Sequence, residues 1–189
     1  ADGLPDPLEG EAGFAASNTS IAVSTDGCAW IGTGGGETAR VLRSCDWGSS
    51  WSAHATPLAA GSAGAGIFSL YWDGDRLFAA GGNYQEPETA LGTFAWSDDR
   101  GETWHVPERG LGGYRSAITG FPIDAATLVA TGPTGSDNSR SNGESWGVMP
   151  SLPGHHAIGF APDGSAGWAI GSEGRITRFT IDPDAPHRD

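Results

Sequence analysis

The segment Ser44–Trp51 reads SCDWGSSW, and the segment Ser97–Trp104 reads SDDRGETW. Both fit the pattern Ser-x-Asp-x-Gly-x-Ser/Thr-Trp. A third copy, Ser139–Trp146, reads SRSNGESW and has Ser141 where the other two copies have aspartate. The steps between the three final tryptophans are 53 and 42 residues. A pattern that returns at such intervals indicates a fold built from repeated units.

The residue types in this pattern predict a tight turn. A short carboxylate accepts hydrogen bonds from nearby amides of the turn, and glycine adopts positive φ without a steric penalty. The final tryptophan starts the next strand and can bury a large apolar area. We therefore interpret the aspartates as turn caps and not as catalytic groups. The residues with this structural role are Ser44, Asp46, Gly48, Trp51, Ser97, Asp99, Gly101, Trp104, Ser139, Gly143 and Trp146.

The sequence before each copy has one order of elements: an apolar strand, a turn, a second strand, a glycine-rich hairpin and a third strand. Four such units lie at about 13–57, 64–109, 113–151 and 155–181, and the last unit lacks a fourth strand. This organisation predicts an all-β fold with about four four-stranded blades of a β-propeller. We expect residues 1–12 to be a linker or cut end, residues 182–189 to be a tail, and the blades to be part of a larger propeller.

The repeated pattern resembles the Asp-box, or BNR repeat, of sialidase-like propellers. Together with its surroundings it resembles the carboxy-terminal half of the photosystem II stability/assembly factor-like proteins of bacteria. The similar stretches are GEAGFAASNTSIAV, WIGTGGGETARVLRSCDWGSSW, AGIFSLYW, GYRSAITGFP with TLVATGPTG, and HAIGFAPDGSAGWAIGSEGRITRF. The resemblance implies a propeller of more than four blades and a role as an assembly or scaffold protein.

Charge and hydropathy narrow the choice of partners. The chain has 189 residues, a net charge of −13, ten arginines and no lysine. An acidic surface repels phosphate backbones, which argues against nucleic acid. The sequence contains no apolar run of the roughly 18 residues that a membrane span needs, so we expect no membrane insertion. The expected partner is a protein or the missing half of the propeller.

Candidate binding residues lie where the first strand of each unit begins. In a propeller this strand is the innermost, and its start is near the mouth of the central channel, where ligands bind. The residues at these positions are Phe14, Phe68, Ser69, Tyr114, Arg115, Ser116, His155 and His156. They could equally pack the axis without binding anything. Arg115 is the favoured contact for a carboxylate of a partner, and a structural ion pair with a neighbouring blade is the alternative.

The sequence favours a non-enzymatic binding or assembly scaffold, without a catalytic residue or cofactor. The alternative is a carbohydrate-active hydrolase, sialidase- or xyloglucanase-like, which needs a pair of facing carboxylates. No helix is available for a dinucleotide fingerprint. His155 and His156 are neighbours on a predicted strand and point to opposite faces, and His54, His105 and His187 are scattered, so we predict no metal site.

The two cysteines are expected to form a disulfide. Cys28 opens the second strand of the first unit, and Cys45 ends the third strand, so the two lie opposite each other across a predicted hairpin. Cross-strand neighbours come close enough for a bridge only in some registers. Two buried thiols are the alternative. A disulfide would place the protein outside the cytoplasm, in the periplasm or secreted.

Overall fold

A computed structural model describes residues 3–17 and 19–182 of the chain. The strands are β1 (Ile21–Val23), β2 (Ala29–Gly32), β3 (Arg40–Ser44), β4 (Ser52–Ala55), β5 (Ala65–Trp72), β6 (Leu77–Asn83), β7 (Phe94–Ser97), β8 (Ala117–Phe121), β9 (Asp124–Gly132), β10 (Gly135–Ser139), β11 (Gly147–Val148), β12 (Ala157–Phe160), β13 (Gly167–Ile170) and β14 (Ile176–Phe179). The helical content of the described residues is one 3-10 turn at Ser172–Gly174. The expected all-β fold is confirmed.

The strands form four antiparallel sheets, which we call blades one to four. Blade one has the order β1-β2-β3-β4, blade two β5-β6-β7, blade three β8-β9-β10-β11 and blade four β12-β13-β14. The fourth strand expected in the second unit is reduced to one bridge between Trp96 and His105. Pro107 follows two residues later and cannot donate to a ladder, which limits the strand. No helix in the described part of the chain is long and apolar enough to cross a membrane.

The expected disulfide links Cys28 to Cys45. The β2–β3 ladder ends with Ala29 opposite Ser44, so the cysteines occupy the next cross-strand position. The bridge therefore links the two strands at the open end of the β2–β3 hairpin, away from its turn. The alternative of two free thiols is excluded.

Each blade packs against the next through apolar faces. Because side chains alternate along a strand, β6 sends neighbouring residues to opposite sides of blade two. Leu77 and Ala79 join the core shared with blade one, and Phe78 and Ala80 join the core shared with blade three. A third core, between blades three and four, contains Val129, Leu152, Ala169 and Phe179. Blades two and three are thus covered on both faces.

The first strands of the blades define an inner edge. β1, β5, β8 and β12 each lie at the edge of their own sheet, and β1 contacts β5, β5 contacts β8, and β8 contacts β12. The segment 8–12 also reaches the inner edge, where Ala12 forms a bridge with Gly34 in the β2–β3 hairpin of blade one. The starts of the first strands therefore converge, as a site at the axis requires.

The three box turns share one backbone conformation. Two consecutive residues have positive φ in each turn, namely Trp47–Gly48, Arg100–Gly101 and Asn142–Gly143. The hydroxyl of the first serine accepts a hydrogen bond from the glycine amide at 2.9, 2.7 and 3.0 Å in the three turns. Positive φ at a non-glycine residue is uncommon and shows how sharply the chain reverses here.

The aspartates cap the turns through the residue four positions later. Asp46 accepts hydrogen bonds from the amide and hydroxyl of Ser50 at 2.9 and 2.6 Å, and Asp99 does so from Thr103 at 2.8 and 2.6 Å. The hydrogen bond from the Ser50 hydroxyl contributes most to lowering the pKa of Asp46 to about 2. Burial raises the pKa of Asp99, but the bonds from Thr103 outweigh it and leave a pKa of about 2.

The box tryptophans are buried to different degrees. Trp146 is fully buried in the core between blades two and three, whereas Trp51 and Trp104 are half-buried. Trp30 of β2, which the repeat pattern does not mark, is fully buried between blades one and two.

Acid is expected to destabilise the fold through the box carboxylates. The pKa of Asp99 falls from an ordinary value of 3.8 to about 2 on folding, so its stabilising bonds are complete above pH 3.8 and are lost as the pH falls through about 2. The melting temperature of the wild type should drop more between about pH 5 and pH 2 than that of Asp99→Asn. Asp75→Asn, outside the box turns, serves as the control and should follow the wild type. Equal slopes for all three proteins would contradict the assignment.

Candidate ligand-binding cavity at the inner edge of the blades

A cavity of about 580 Å³ lies where the first strands of the blades begin. All four blades contribute to its lining. Blade one contributes the segment before β1, blade two contributes residues in β5 and after β6, and blades three and four contribute residues just before β8 and β12. The lining residues are Gly13, Phe14, Ala15, Ala16, Ser17, Phe68, Tyr84, Tyr114, Ser116 and His156. The volume lies within the range of about 300–1,000 Å³ that is usual for small-molecule sites.

Phe68 reaches the cavity because β5 is irregular at this point. Ile67 pairs with Gly81 and Ser69 pairs with Ala80, so Phe68 has no partner on β6. Such a β-bulge redirects the side chain of the extra residue and often lies beside functional sites. The bulge places Phe68 on the cavity wall.

The aromatic side chains of the wall form one cluster around Phe68. The Phe14 ring stacks on Phe68 with centroids 3.8 Å apart, and Tyr114 and Tyr84 meet Phe68 edge-on at 4.8 and 6.1 Å. Burial, with a smaller contribution from Tyr84, raises the pKa of Tyr114 to about 12. Its phenol is therefore neutral at physiological pH and can donate a hydrogen bond.

Hydroxyl groups tie the inner edge together. The Ser17 hydroxyl lies 2.5 Å from the carbonyl oxygen of Phe68 and 3.0 Å from that of Ser116. The Ser116 hydroxyl donates to the carbonyl oxygen of His156 at 2.9 Å. Ser17, in the segment before β1, thus connects to blades two and three, and Ser116 connects blade three to blade four. These bonds fix the backbone that frames the cavity.

The structure brings five of the eight predicted binding residues to the cavity: Phe14, Phe68, Tyr114, Ser116 and His156. Ser69 is buried instead and bonds to Thr19 at 2.7 Å and to the amide of Ile118 at 3.0 Å. His155 is also buried, with its ring between the carbonyl oxygen of Pro153 and the hydroxyl of Thr177. Both residues connect neighbouring segments and do not face the cavity.

Arg115 is the third predicted residue that the cavity lacks. Its Nε lies 2.6 Å from Oδ2 of Asp137 on β10, and its Nη1 donates to Thr134 Oγ1 and to the Tyr114 carbonyl, both at 3.0 Å. The amide of Gly112 donates to the same carboxylate at 3.3 Å. The pair is buried within blade three and not between blades. The guanidinium is committed to this network, so it is not placed to bind the carboxylate of a partner.

Tyr84 belongs to the cavity although the repeat pattern did not indicate it. It follows the last residue of β6, and Asn83 at the end of β6 pairs with Ala65 at the start of β5. In an antiparallel pair the end of the second strand lies beside the start of the first. The residue after β6 could therefore have been assigned to the channel mouth from the hairpin alone.

The cavity lining has no acidic residue, and His156 is its one basic residue. The lining residues include no carboxylate, and His156 Nε2 lies 3.0 Å from the hydroxyl of Ser172. In the described residues no three side chains of histidine, cysteine, aspartate or glutamate are grouped to hold a metal ion. His187 lies outside the described residues, as does the predicted tail beyond Asp182. The arrangement suits an apolar or aromatic group with a few hydrogen bonds at its rim.

Comparison with solved structures defines the class of fold. A GH74 enzyme from Niastella koreensis superposes with a TM-score of 0.65 at 15% identity, over 85% of this chain and 28% of the enzyme. The GH74 xyloglucanase from Xanthomonas campestris superposes with a TM-score of 0.60 at 16% identity, over 85% of this chain and 29% of the enzyme. The fold is that of a β-propeller, and the four sheets correspond to part of one.

These likenesses concern the fold alone, and the chain spans less than a third of the length of either enzyme. YCF48 from Cyanidioschyzon merolae aligns over 85% of this chain and 66% of its own length, with 13% identity and a TM-score of only 0.40. A superposition at that level adds nothing to the assignment. No family model matches the chain, and no curated protein matches it either.

Proposed function

We propose that the chain is a non-enzymatic binding module, related to the photosystem II assembly factor-like propellers, that holds a segment of a protein partner in the cavity at the inner edge. The observation that carries this proposal is the wall of Phe14, Phe68, Tyr84 and Tyr114 around a space of about 580 Å³. Aromatic side chains provide rigid contact area at little entropic cost and dominate binding energy at protein interfaces.

The rim of the cavity supports recognition of a peptide segment. The polar side chains of the lining are the phenols of Tyr84 and Tyr114, the hydroxyls of Ser17 and Ser116, and the His156 ring. A pocket that combines an apolar wall with a few polar groups is the usual form of a binding site. An aromatic or proline side chain of the partner would pack against the aromatic wall. The backbone of the partner segment would form hydrogen bonds with the polar groups at the rim.

The competing function is hydrolysis of a carbohydrate, as in the GH74 enzymes of similar fold. Such hydrolysis uses two carboxyl groups about 5–10 Å apart that face the scissile bond. The lining of the cavity contains no carboxylate, and Asp46 and Asp99 are engaged in box turns. We therefore favour binding over catalysis for this site.

The disulfide supports a location outside the cytoplasm. Thiols are kept reduced in most cytosolic environments, whereas disulfides persist in the periplasm and in secreted proteins. The link between Cys28 and Cys45 is thus compatible with an extracytoplasmic scaffold. The partner would then be a protein of the same compartment.

Tyr84→Ala is expected to weaken peptide binding about tenfold while the fold remains intact. Tyr84 is 48% exposed, so its removal should change the free energy of unfolding by no more than about 0.5 kcal/mol. The probe is a set of 12-residue peptides selected by display against the wild-type chain. Their affinity is measured by calorimetry with the wild type and the variant.

Val106→Ala is the matched control, because Val106 is also exposed but lies outside the cavity lining. It should bind the selected peptides like the wild type. Peptides whose affinity is unchanged by Tyr84→Ala and by His156→Ala would bind elsewhere and count against the proposal. Turnover of xyloglucan that disappears when one acidic residue is changed would establish the hydrolase instead.

A further inference from the structure

A second groove lies beside the cavity, where blade one connects to blade two. One wall belongs to the connection from β4 to β5, over residues 57–65, and the other to the loop from β6 to β7, over residues 83–92. The walls enclose a space of about 350 Å³. Both walls belong to the interior of the chain, and they meet at the start of β5 and the end of β6, which are paired in blade two.

Two backbone hydrogen bonds hold the walls of the groove together at its opposite ends. The amide of Ala59 donates to the carbonyl oxygen of Gly92 at 2.8 Å, and the amide of Tyr84 donates to the carbonyl oxygen of Gly64 at 3.1 Å. Between these bonds the two segments run in opposite directions and separate, which leaves the groove. A site that the backbone fixes in this way is formed before a ligand arrives, and this lowers the entropic cost of binding.

The walls carry short apolar side chains. Pro57, Ala59, Ala60 and Ala65 line one wall, and Leu91 on the other wall is 85% exposed. A long alkyl chain fits such a surface. Lysine and arginine side chains bury their aliphatic stems on surfaces of this kind while the charged end stays in contact with water.

The groove also contains a free carboxylate. Glu86 lines it and is exposed, and within residues 3–17 and 19–182 its side chain forms neither an ion pair nor a hydrogen bond. Asp98 and Glu102, by contrast, pair with arginines of their own chain. The hydroxyl of Ser62, in the opposite wall, is buried and lacks a partner among the described residues. A cationic N–H donor in the groove would satisfy both oxygen groups.

The groove and the aromatic cavity are neighbours. Asn83 lines the groove, and the next residue, Tyr84, lines the cavity. On β5, Ala65 lines the groove and Phe68 lines the cavity. A step of three residues along a strand covers about 10 Å. An extended peptide crosses that distance in about three or four residues, so one segment can occupy both spaces.

We propose that the groove binds a lysine or arginine side chain of the partner segment whose aromatic or proline side chain fills the cavity, an inference that rests on the proposed function of the cavity. The alkyl stem packs on Pro57, Ala60 and Leu91, and the cationic group donates to the Glu86 carboxylate. The basic residue of the partner therefore lies within about four positions of the aromatic or proline residue. The net charge of −13 favours the approach of such a segment.

The display-selected peptides test this proposal. They should carry lysine or arginine within about four positions of an aromatic residue or proline. Glu86→Gln should raise their dissociation constant about threefold to tenfold at low salt, measured by calorimetry. Glu88→Gln is the matched control, because it makes the same charge change at an exposed residue outside both linings. It should leave the dissociation constant unchanged.

Charge reversal determines whether the contact is direct. A selected peptide whose basic residue is replaced by glutamate should bind Glu86→Arg about tenfold more tightly than it binds the wild type. Glu88→Arg should give no such gain, which separates a pair in the groove from a general charge effect. If Glu86→Arg gives no gain either, the basic residue of the peptide contacts another part of the protein and the proposal is wrong.

The possible outcomes distinguish this inference from the proposed function. Peptides weakened by Tyr84→Ala but not by Glu86→Gln would leave the cavity as a binding site and overturn the role of the groove. Peptides insensitive to Tyr84→Ala and to His156→Ala, or a selection that yields no binding peptide, would overturn both. Spermidine that binds more tightly than the peptides and depends on Glu86 would assign the groove to free amines and also overturn the proposal.

Discussion

Arg115→Ala is expected to lower the free energy of unfolding by about 3–5 kcal/mol, because it leaves the carboxylate of Asp137 buried without a counter-charge. The two side chains are only 4% and 2% exposed, and Nε and Oδ2 are 2.6 Å apart. Few other single substitutions in this chain should have such an effect. Urea denaturation followed by circular dichroism gives the free energies directly.

A double variant is the control for this interpretation. Arg115→Met combined with Asp137→Leu removes both charges and replaces them with apolar groups, which in buried pairs is often close to neutral. The double variant should therefore recover most of the stability that Arg115→Ala loses. A loss below about 1 kcal/mol for Arg115→Ala would mean that water reaches the carboxylate and that the pair is not buried in solution.

Removal of the disulfide is expected to cost about 3 kcal/mol. The bond between Cys28 and Cys45 closes a loop with a sequence separation of 17, and loops of about this length lose roughly that much chain entropy in the unfolded state when they are cross-linked. The comparison uses the double variant Cys28→Ala and Cys45→Ala against the wild type, by thermal and urea unfolding.

Reduction provides the internal check. With a reducing agent present, the stability of the wild type should fall close to that of the double variant, which itself should not respond. If the wild type unfolds at the same urea concentration with and without reductant, the disulfide does not form in solution or does not stabilise the fold.

The strand order was largely predictable because the repeat is local. The box turns mark where the third strand of a blade ends, and the glycine-rich segments mark the hairpins. The disulfide followed from the same register, since Cys28 and Cys45 are placed symmetrically about one hairpin. What failed was the fourth strand at 103–106: the segment has strand-forming residues, but Pro107 directly follows it and cannot donate to a ladder, which outweighs that propensity.

The position of the candidate cavity was predictable from the sequence, but not every residue that lines it. Tyr114 and Arg115 are adjacent in an extended segment, and adjacent side chains there point to opposite sides, so only one of them could face the cavity. The partner of Arg115, Asp137, lies 22 residues away in another strand, and nothing local indicates that pairing. The bulge at Phe68 likewise depends on the ladder with β6 and leaves no trace in the sequence of β5.

The third box turn shows that one position of a repeat can compensate for another. It has Ser141 in place of aspartate, and the Ser141 hydroxyl accepts the amide of Ser145 at 3.0 Å, so a neutral group makes the backbone bond that the carboxylates make elsewhere. Its left-handed residue is Asn142, whereas the other turns have Trp47 and Arg100 there. Asparagine is among the few residues that visit this conformation readily. A turn without the charged cap thus keeps its conformation because asparagine occupies the left-handed position. Repeats of this kind can therefore diverge beyond a simple pattern search while the blade persists.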